Sequence, residues 1–269
     1  MFAGATAFNS PVSFNTSLVE NMFGMFGRAE SFNQELNFDT SSVVEMDRLF
    51  AEATSFNQPL DFDTSSVQYM AGMFQGAIAF NQPLEFNVSI CEDMDYVFMG
   101  ATSFNQPLEW DTSSATSMVE MFYNATSFNQ PLEWDTSSVV DMDGMFSYAS
   151  SFNQPSLMDW NTSLVTNMNG TFLEAVNFNQ DISGWDVSQV TNMDYMFATQ
   201  SFSSAFNQPI GNWNTGRVTT MNYMFAGASS FNQPIGNWDT GLVSNMTEMF
   251  AAASSFNQPL DWDVSNVER

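Results

Sequence analysis

The sequence predicts an α/β solenoid: one elongated stack of about eleven turns of chain, each holding a short parallel β-strand and a short α- or 3-10 helix. Three observations predict it. A repeat of 24 to 28 residues runs through all 269 residues, one part of the repeat alternates apolar with polar residues, and another carries an apolar stripe at helical spacing. Because each turn of a solenoid touches mainly its neighbours, we expect residues 1–269 to form a single repeat domain.

Three aromatic columns define the repeat. The Phe-Asn column is Phe8, Phe32, Phe56, Phe80, Phe104, Phe128, Phe152, Phe178, Phe206, Phe231 and Phe256. The Met-Phe column is Phe2, Phe26, Phe50, Phe74, Phe98, Phe122, Phe146, Phe172, Phe197, Phe225 and Phe250. The Trp column, which holds every Trp of the protein, is Phe14, Phe38, Phe62, Phe86, Trp110, Trp134, Trp160, Trp185, Trp213, Trp238 and Trp262. Extra residues fall only before the Trp column or after the Met-Phe column, as in 201–205, which predicts surface loops there.

The strand is predicted in the segment 131–135. Leu132 and Trp134 alternate with polar residues, as expected of a short half-buried strand. Pro131 cannot donate a backbone hydrogen bond, so it marks the start of the strand. Equivalent strands of successive turns would form a parallel sheet.

The helix is predicted to follow. Residues 135–138, Asp-Thr-Ser-Ser, are types that favour the N-cap of a helix. Val139, Met142, Met145 and Ala149 then form an apolar stripe. Strand, corner, short helix and return make a leucine-rich-repeat-like unit. The Met and aromatic columns are therefore predicted to be core.

Two further columns are predicted to be structural. An Asn follows the Phe of every Phe-Asn pair, and we expect its amide to hydrogen-bond to the backbone or to its own copies along the stack. Cys91 stands where most turns have Val, so it is expected to be a small buried residue with an inert thiol.

Composition limits the partners. The net charge is −26, with four Arg, no Lys and no His, so nucleic-acid binding is disfavoured. No apolar run is long enough to span a membrane, so no direct membrane insertion is expected, and no signal peptide is visible. The sequence begins and ends without the polar capping repeats of a solenoid, so we expect a fragment of a longer chain.

Acidic residues flank the Trp column and are predicted to point outward. Three interpretations stay open: a hydrated surface with raised carboxyl pKa values, a weak site for Ca²⁺ or a basic partner, and a carboxylate-pair hydrolase. No catalytic or cofactor-binding residue is assigned. The weak metal candidates are Asp61, Asp63, Glu85, Glu109, Asp111, Glu133, Asp135 and Asp159.

The repeat resembles a known family. The run 184–197, Gly-Trp-Asp-Val-Ser-Gln-Val-Thr-Asn-Met-Asp-Tyr-Met-Phe, is similar to the BspA-like leucine-rich repeat surface proteins. It is most similar to their Met-Phe/Phe-Asn-Gln subgroup, a domain of unknown function in mycoplasma surface lipoproteins and marine algae. The resemblance covers the whole chain. It implies a right-handed solenoid, an extracellular or cell-surface location and adhesion or protein interaction.

The predicted function is a non-enzymatic surface scaffold that binds a protein or glycan through a repetitive acidic face. An enzyme is not predicted, because the chain lacks His and no carboxylate pair differs from its neighbours. The alternative is a building block of a larger extracellular or cell-surface assembly, which self-associates with neighbouring repeats. The partner protein or glycan, and any Ca²⁺ requirement, are left open.

Overall fold

The computed structural model describes residues 1–201 and 203–268; Phe202, in a predicted loop, and Arg269 lie outside them. The chain winds into a stack of coils, each coil being one repeat. Within the described residues, successive coils are joined by isolated parallel bridges, one residue per coil. The bridge residues are Asn21, Glu45, Tyr69, Asp93, Ser117, Asp141, Asn167, Asn192, Thr220 and Asn245.

The predicted α/β solenoid of the right-handed leucine-rich-repeat type is wrong. Over the described residues the one helix is a 3-10 helix, Pro155–Asp159, and no strand longer than an isolated bridge forms. That helix occupies the one coil with two extra residues before the Trp column, and Pro at its first position suits its start. The repeat is otherwise built from turns.

Turns replace the predicted helix because of how the backbone N–H groups are shared. In segment 142–149, alternate N–H groups donate to the carbonyl three residues earlier, as Ser147 does to Gly144 at 2.9 Å. The N–H groups between them donate to the next coil, as Phe146 does to Thr171 at 2.9 Å. In an α-helix each N–H group after the first turn would instead donate to the carbonyl four residues earlier in the same segment. The donors to the next coil are Met142, Gly144, Phe146 and Tyr148.

Positive φ angles prevent a helix at the same place. Gly144 has φ 58° and Tyr148 φ 59°, in the left-handed region, and the equivalent residues repeat this in nearly every coil. The apolar stripe misled the sequence prediction because its step of three residues, from Val139 to Met142 to Met145, fits consecutive turns as well as a helix.

The predicted strand segment has the alternation but not the sheet. Leu132 and Trp134 are buried and Glu133 is exposed. No backbone–backbone hydrogen bond joins this described segment to a neighbouring coil; the Leu132 N–H donates instead to the Ser156 hydroxyl at 2.9 Å. The predicted N-cap is also a turn, since the Asp135 carboxylate accepts the Ser137 N–H at 2.9 Å.

The predicted aromatic core is confirmed. Trp110 and Trp134 stack with ring centroids 6.2 Å apart and 2° between planes, and each is about nine-tenths or more buried. Phe122 of the Met-Phe column lies 4.1 Å from Phe128 of the Phe-Asn column. The columns form one apolar cluster, because each coil repeats the same contacts at the spacing of the stack.

Polar side chains at the border of this core form hydrogen bonds with backbone groups of the neighbouring coil. The side-chain oxygen of Asn105 accepts the backbone N–H of Asn129, one coil later, as the Asn column predicts. The Trp134 indole N–H donates to the Leu108 carbonyl at 3.1 Å. Cys91 is fully buried, as predicted, and burial followed by the nearby Asp47 charge raises its pKa to about 12.

Candidate functional site

The acidic residues predicted from the sequence form the Trp-flank face, defined as the carboxylates directly before and after the Trp column. All eight are exposed, and each pair is separated by a buried aromatic ring. The predicted outward direction is therefore confirmed. Its members are Asp61, Asp63, Glu85, Glu109, Asp111, Glu133, Asp135 and Asp159.

The raised pKa values expected on this face are wrong for three of its aspartates. The Ser65 hydroxyl and N–H donate to Asp63, at 2.6 and 3.0 Å, and hold the pKa of that carboxyl below its ordinary value. Equivalent bonds lower the pKa of Asp111 and Asp135. The same Asp-Ser pairs that form the turns therefore stabilise the charged carboxylates.

The Trp-flank carboxylates are not gathered into one cluster. The described residues contain no group of three or more His, Cys, Asp or Glu that could hold a metal ion. Shallow grooves run between successive coils on this face, one of them lined by Pro107, Glu109, Trp110, Pro131 and Glu133. A weak Ca²⁺ site here stays a prediction.

A second acidic surface, which the sequence prediction missed, lies along the bridges. We call it the bridge face: the bridge residues and the residues two, three, six and seven places after each of them. Its carboxylates are mostly half-buried, unlike those of the Trp-flank face. They are Glu45, Asp47, Glu52, Asp93, Asp95, Glu120, Asp141, Asp143, Glu174, Asp194 and Glu248.

Burial controls protonation on the bridge face. It raises the pKa of Asp47 to about 6, although the Ala71 N–H donates to that carboxylate at 2.7 Å and opposes the change. Burial also raises the pKa of Asp95, Asp143 and Glu120. Like charges on the same coil or on nearby coils add to these shifts.

The half-buried carboxylates have a structural role between coils. In the coil of Asp141, the bridge carboxylate accepts the N–H of Asp143, two residues later, at 2.9 Å. Ser117 is too short to do the same, and the Val119 N–H is instead accepted by Asp95 of the preceding coil at 2.7 Å. A carboxylate on one coil thus replaces a missing acceptor on the next.

Every tyrosine of the chain lies on the bridge face, whereas every tryptophan lies in the Trp column. Tyr195 and Tyr223 stack at 4.9 Å with 6° between planes. Tyr123 and Tyr148 are tilted, at 5.3 Å and 54°. These rings are partly exposed, which distinguishes them from the buried Phe and Trp rings. The six are Tyr69, Tyr96, Tyr123, Tyr148, Tyr195 and Tyr223.

The family comparison accounts for the entire chain. A family model described as "Mycoplasma protein of unknown function, DUF285" matches four consecutive stretches: residues 1–62, 60–133, 132–205 and 199–269. The chain belongs to the DUF285 family. No curated protein and no solved structure matched it.

This DUF285 chain is therefore a repeat protein of a family whose function is unknown. Among the residues that the structure describes, no helix is both long and apolar enough to cross a membrane. The finer BspA-like leucine-rich-repeat resemblance is not established by the family match.

One signal in the sequence could have indicated the bridge face. Between the Trp column and the next Phe-Asn pair, Val, Met and Phe recur at fixed places, while the residues between them change from coil to coil. Equivalent bridge residues include Glu45, Tyr69 and Ser117. The Trp-flank carboxylates recur at one position of the repeat, so their spacing reveals them. The bridge-face residues differ from coil to coil, and only the pairing of coils in the structure shows that they share a surface.

Proposed function

We propose that this DUF285 chain is a non-enzymatic repeat scaffold that mediates protein interaction or adhesion, with the bridge face as its recognition surface. The observation that carries the proposal is the contrast between a uniform interior and a varied exterior. The interior columns fix the shape of each coil, and the bridge face changes its chemistry along the stack.

The contrast is seen in equivalent positions. The Asn of the Phe-Asn pair is the same in all eleven repeats. The bridge position, by comparison, is Glu45, Tyr69, Asp93 and Ser117 in four successive coils. A rigid stack that presents a non-repeating row of side chains can recognise an extended partner, as solenoid surfaces do.

The carboxylate arrangement supports a binding role over catalysis. Asp47, Asp95 and Asp143 occupy equivalent places in alternate coils, and burial raises the pKa of each. General acid–base catalysis by two carboxyl groups needs two unlike environments at one site. A row of similar environments instead suits repeated contacts with a long partner.

Location and partner type follow from the family resemblance. The BspA-like pattern of the run 184–197 supports an extracellular or cell-surface location and a protein or glycan partner. These belong to the proposal, as does any contribution of Ca²⁺ on the Trp-flank face.

The building-block alternative is favoured by a different observation. The first coils expose apolar side chains that later coils bury: Phe14 is 41% exposed, whereas Phe38 of the same column is buried. In the last coil, Val264 is 56% exposed, whereas Val88 and Val187 at the equivalent place are buried. A further coil of the same kind would cover such surfaces, whether it came from a longer chain or a second copy.

The proposed function is tested by surface binding. The chain is immobilised and challenged with purified extracellular proteins and glycans of acidic, neutral and basic character, using wild type and the double variant Tyr96→Asn with Tyr223→Asn. Both positions have positive φ, which Asn tolerates, so the fold is expected to be retained. Near-ultraviolet circular dichroism checks that the packed core is intact.

The matched control is Glu109→Gln with Glu133→Gln on the Trp-flank face. The proposal expects at least one protein or glycan to bind wild type and the control but to bind the bridge-face variant weakly. Binding that survives in the bridge-face variant, or no binding to the panel, contradicts it. Sedimentation that shows concentration-dependent association of the chain alone would favour the building block.

A further inference from the structure

The tyrosines of the bridge face are not required by the fold. Tyr148 and Tyr195 have φ 59° and 58°, a conformation unfavourable for a bulky residue. Glycine fills the equivalent place of Tyr195 in other coils, as Gly72 and Gly144 do, with similar φ. A tyrosine at a position where glycine would adopt the same φ without strain indicates that the tyrosine side chain has a use beyond folding.

Five of the tyrosines stand in two groups along the stack. The first comprises Tyr96, Tyr123 and Tyr148 in three successive coils, and the second comprises Tyr195 and Tyr223 in two. All of these except Tyr123 have positive φ. The ring centroids of Tyr123 and Tyr148 are 5.3 Å apart, and those of Tyr195 and Tyr223 are 4.9 Å apart. The result is a row of partly exposed aromatic surface outside the core.

Each group has carboxylates beside its rings. Burial and the neighbouring charges of Asp95, Glu120 and Asp143 raise the pKa of Tyr96. Burial, Tyr223 and the charges of Asp194 and Glu248 do the same for Tyr195. The phenols of Tyr96 and Tyr195 therefore remain neutral at physiological pH, with negative charge close to both rings.

We propose that the bridge face from Tyr96 to Glu248 binds an extended, Arg- or Lys-rich segment of a partner protein; this inference rests on the proposed function and names its partner. A guanidinium or ammonium group gains both from an aromatic ring face and from an adjacent carboxylate. Tyr and Arg are both enriched among the residues that dominate binding energy in interfaces.

The start of the same face shows the carboxylate part of this contact within the chain. The Arg28 guanidinium lies 3.1 Å from the Glu52 carboxylate of the next coil, on the bridge face. A partner cation can meet Glu120 or Glu248 in a comparable way. Arg28 and Arg48 offset two of the three carboxylates in the first two coils of this face, which are Glu45, Asp47 and Glu52. No Arg or Lys occupies the bridge face from Tyr96 to Glu248, so a positively charged segment is favoured on these later coils.

The length of the segment follows from the stack. Tyr96 and Tyr223 are five coils apart. At about 4.8 Å per coil and about 3.3 Å per extended residue, roughly eight residues cover this distance. A twelve-residue peptide is therefore long enough to contact both tyrosine groups.

The test uses a fluorescent twelve-residue peptide of alternating Arg and Ser, titrated with the chain at fixed ionic strength and followed by anisotropy. A Glu–Ser peptide of the same length is the ligand control and should not bind. The aromatic variant is Tyr195→Asn with Tyr223→Asn. Loss of two cation–π contacts is expected to weaken binding of the Arg–Ser peptide about tenfold.

Charge is tested by a matched pair of variants. Glu120→Gln with Glu248→Gln removes two carboxylates from the bridge face, and Glu109→Gln with Glu133→Gln removes two from the Trp-flank face. None of the four makes a side-chain hydrogen bond within the described residues, so each double variant changes net charge equally at little structural cost. The first is expected to weaken binding several-fold more than the second.

Equal weakening by both charge variants would show attraction by net charge alone and overturn the inference. It also fails if the Arg–Ser peptide does not bind, or if the tyrosine variant binds it like wild type. A partner from the purified panel that requires Tyr223 while the peptide does not bind would retain the proposed function and reject only the basic segment.

Discussion

The side-chain oxygen of Asn129 accepts the backbone N–H of Asn153, one coil later, at 2.9 Å, and the Gln154 amide donates to the same oxygen at 3.0 Å. Asn105 and Asn129 form the same contact one coil earlier. The side chains of the Asn column thus accept hydrogen bonds from backbone N–H groups that have no β-sheet partner. The column adds to the bridges and backbone hydrogen bonds that join successive coils on the bridge face, and so helps to keep the coils in register.

The first prediction concerns this column. Asn129→Ala leaves the Asn153 N–H and the Gln154 amide without their shared acceptor. We expect a loss of about 1–3 kcal/mol in the free energy of unfolding, as for other half-buried donors left unpaired. Urea denaturation followed by Trp fluorescence measures it.

Gln130→Ala is the control, because Gln130 donates to Asn105 without supplying an acceptor to the next coil. It should cost less than Asn129→Ala. An equal or larger cost would mean that the Asn acceptor is not what joins the coils.

The second prediction concerns the Trp column. Trp134 stacks on Trp110 and Trp160 and donates its indole N–H to the Leu108 carbonyl. Trp134→Ala should cost about 3–5 kcal/mol, because it opens a cavity in the core. Thermal and chemical unfolding give the measurement.

Trp134→Phe is the matched variant. Phe occupies the same column in earlier coils, where Phe62 and Phe86 are buried. We expect it to cost about 1–2 kcal/mol, since it keeps a ring but leaves the Leu108 carbonyl without its donor. A Phe variant as unstable as the Ala variant would contradict the role given to ring stacking.

The packing of side chains in this chain could be predicted from the sequence, whereas the path of its backbone could not. The stacked aromatic columns, the Asn column and the burial of Cys91 could be predicted, because a fixed period places identical side chains over one another. The secondary structure could not. A stripe such as Val139, Met142 and Met145 fits helix and consecutive turns alike, and positive φ at Tyr148 leaves no glycine to signal it.

Of the two acidic surfaces, the Trp-flank face could be predicted from the sequence and the bridge face could not. The Trp-flank carboxylates repeat at one position, so the periodicity reveals them. The bridge face joins unlike residues, such as Glu45 and Tyr69, through the pairing of coils. The pKa values on the Trp-flank face depend on local turns in which Ser donates to Asp, as Ser65 does to Asp63. The predicted strand and helix N-cap did not include these turns.

The third prediction concerns the left-handed positions. Gly170 has φ 56°, and a Cβ there would meet nothing closer than 3.7 Å. Gly170→Ala should therefore cost only the backbone strain, about 1 kcal/mol. Ala252, with φ 55°, is the reverse case, and Ala252→Gly should stabilise the fold by a few tenths to about 1 kcal/mol.

Gly227→Ala is the variant to compare with Gly170→Ala and Ala252→Gly. It adds a steric collision to the strain, because a Cβ there would run into the Thr199 backbone carbonyl. Its midpoint of thermal unfolding should fall well below that of Gly170→Ala. Similar values for all three variants would indicate that the positive φ angles do not govern stability.

The last prediction concerns pH. Burial raises the pKa of Asp47 from 3.8 to about 6, so the folded chain prefers this carboxyl protonated. Its contribution to stability is fully present below about pH 4 and is lost as pH rises through about 6. Asp95, Asp143 and Glu120, whose pKa values are also raised, act in the same direction.

Carboxyls of the Trp-flank face act in the opposite direction. The pKa of Asp63, Asp111 and Asp135 is lowered by their serine partners, so their contribution is present above the ordinary value of 3.8 and is lost as pH falls below it. Together the two sets predict a thermal midpoint that rises as pH is lowered from 7 to about 5 and falls again in stronger acid.

Asp47→Asn isolates the first effect. Asn keeps an oxygen for the Ala71 N–H while removing the half-buried charge, so the variant should gain on the order of 1 kcal/mol at pH 7 after solvent screening. It should also lose part of the pH dependence between pH 4 and 7.

Asp63→Asn, at a position where Asn87 and Asn161 occur in other coils, should keep that dependence. A thermal midpoint that is flat from pH 7 to pH 5 in wild type, or an Asp47→Asn variant with unchanged pH dependence, would show that burial of this carboxylate does not oppose folding.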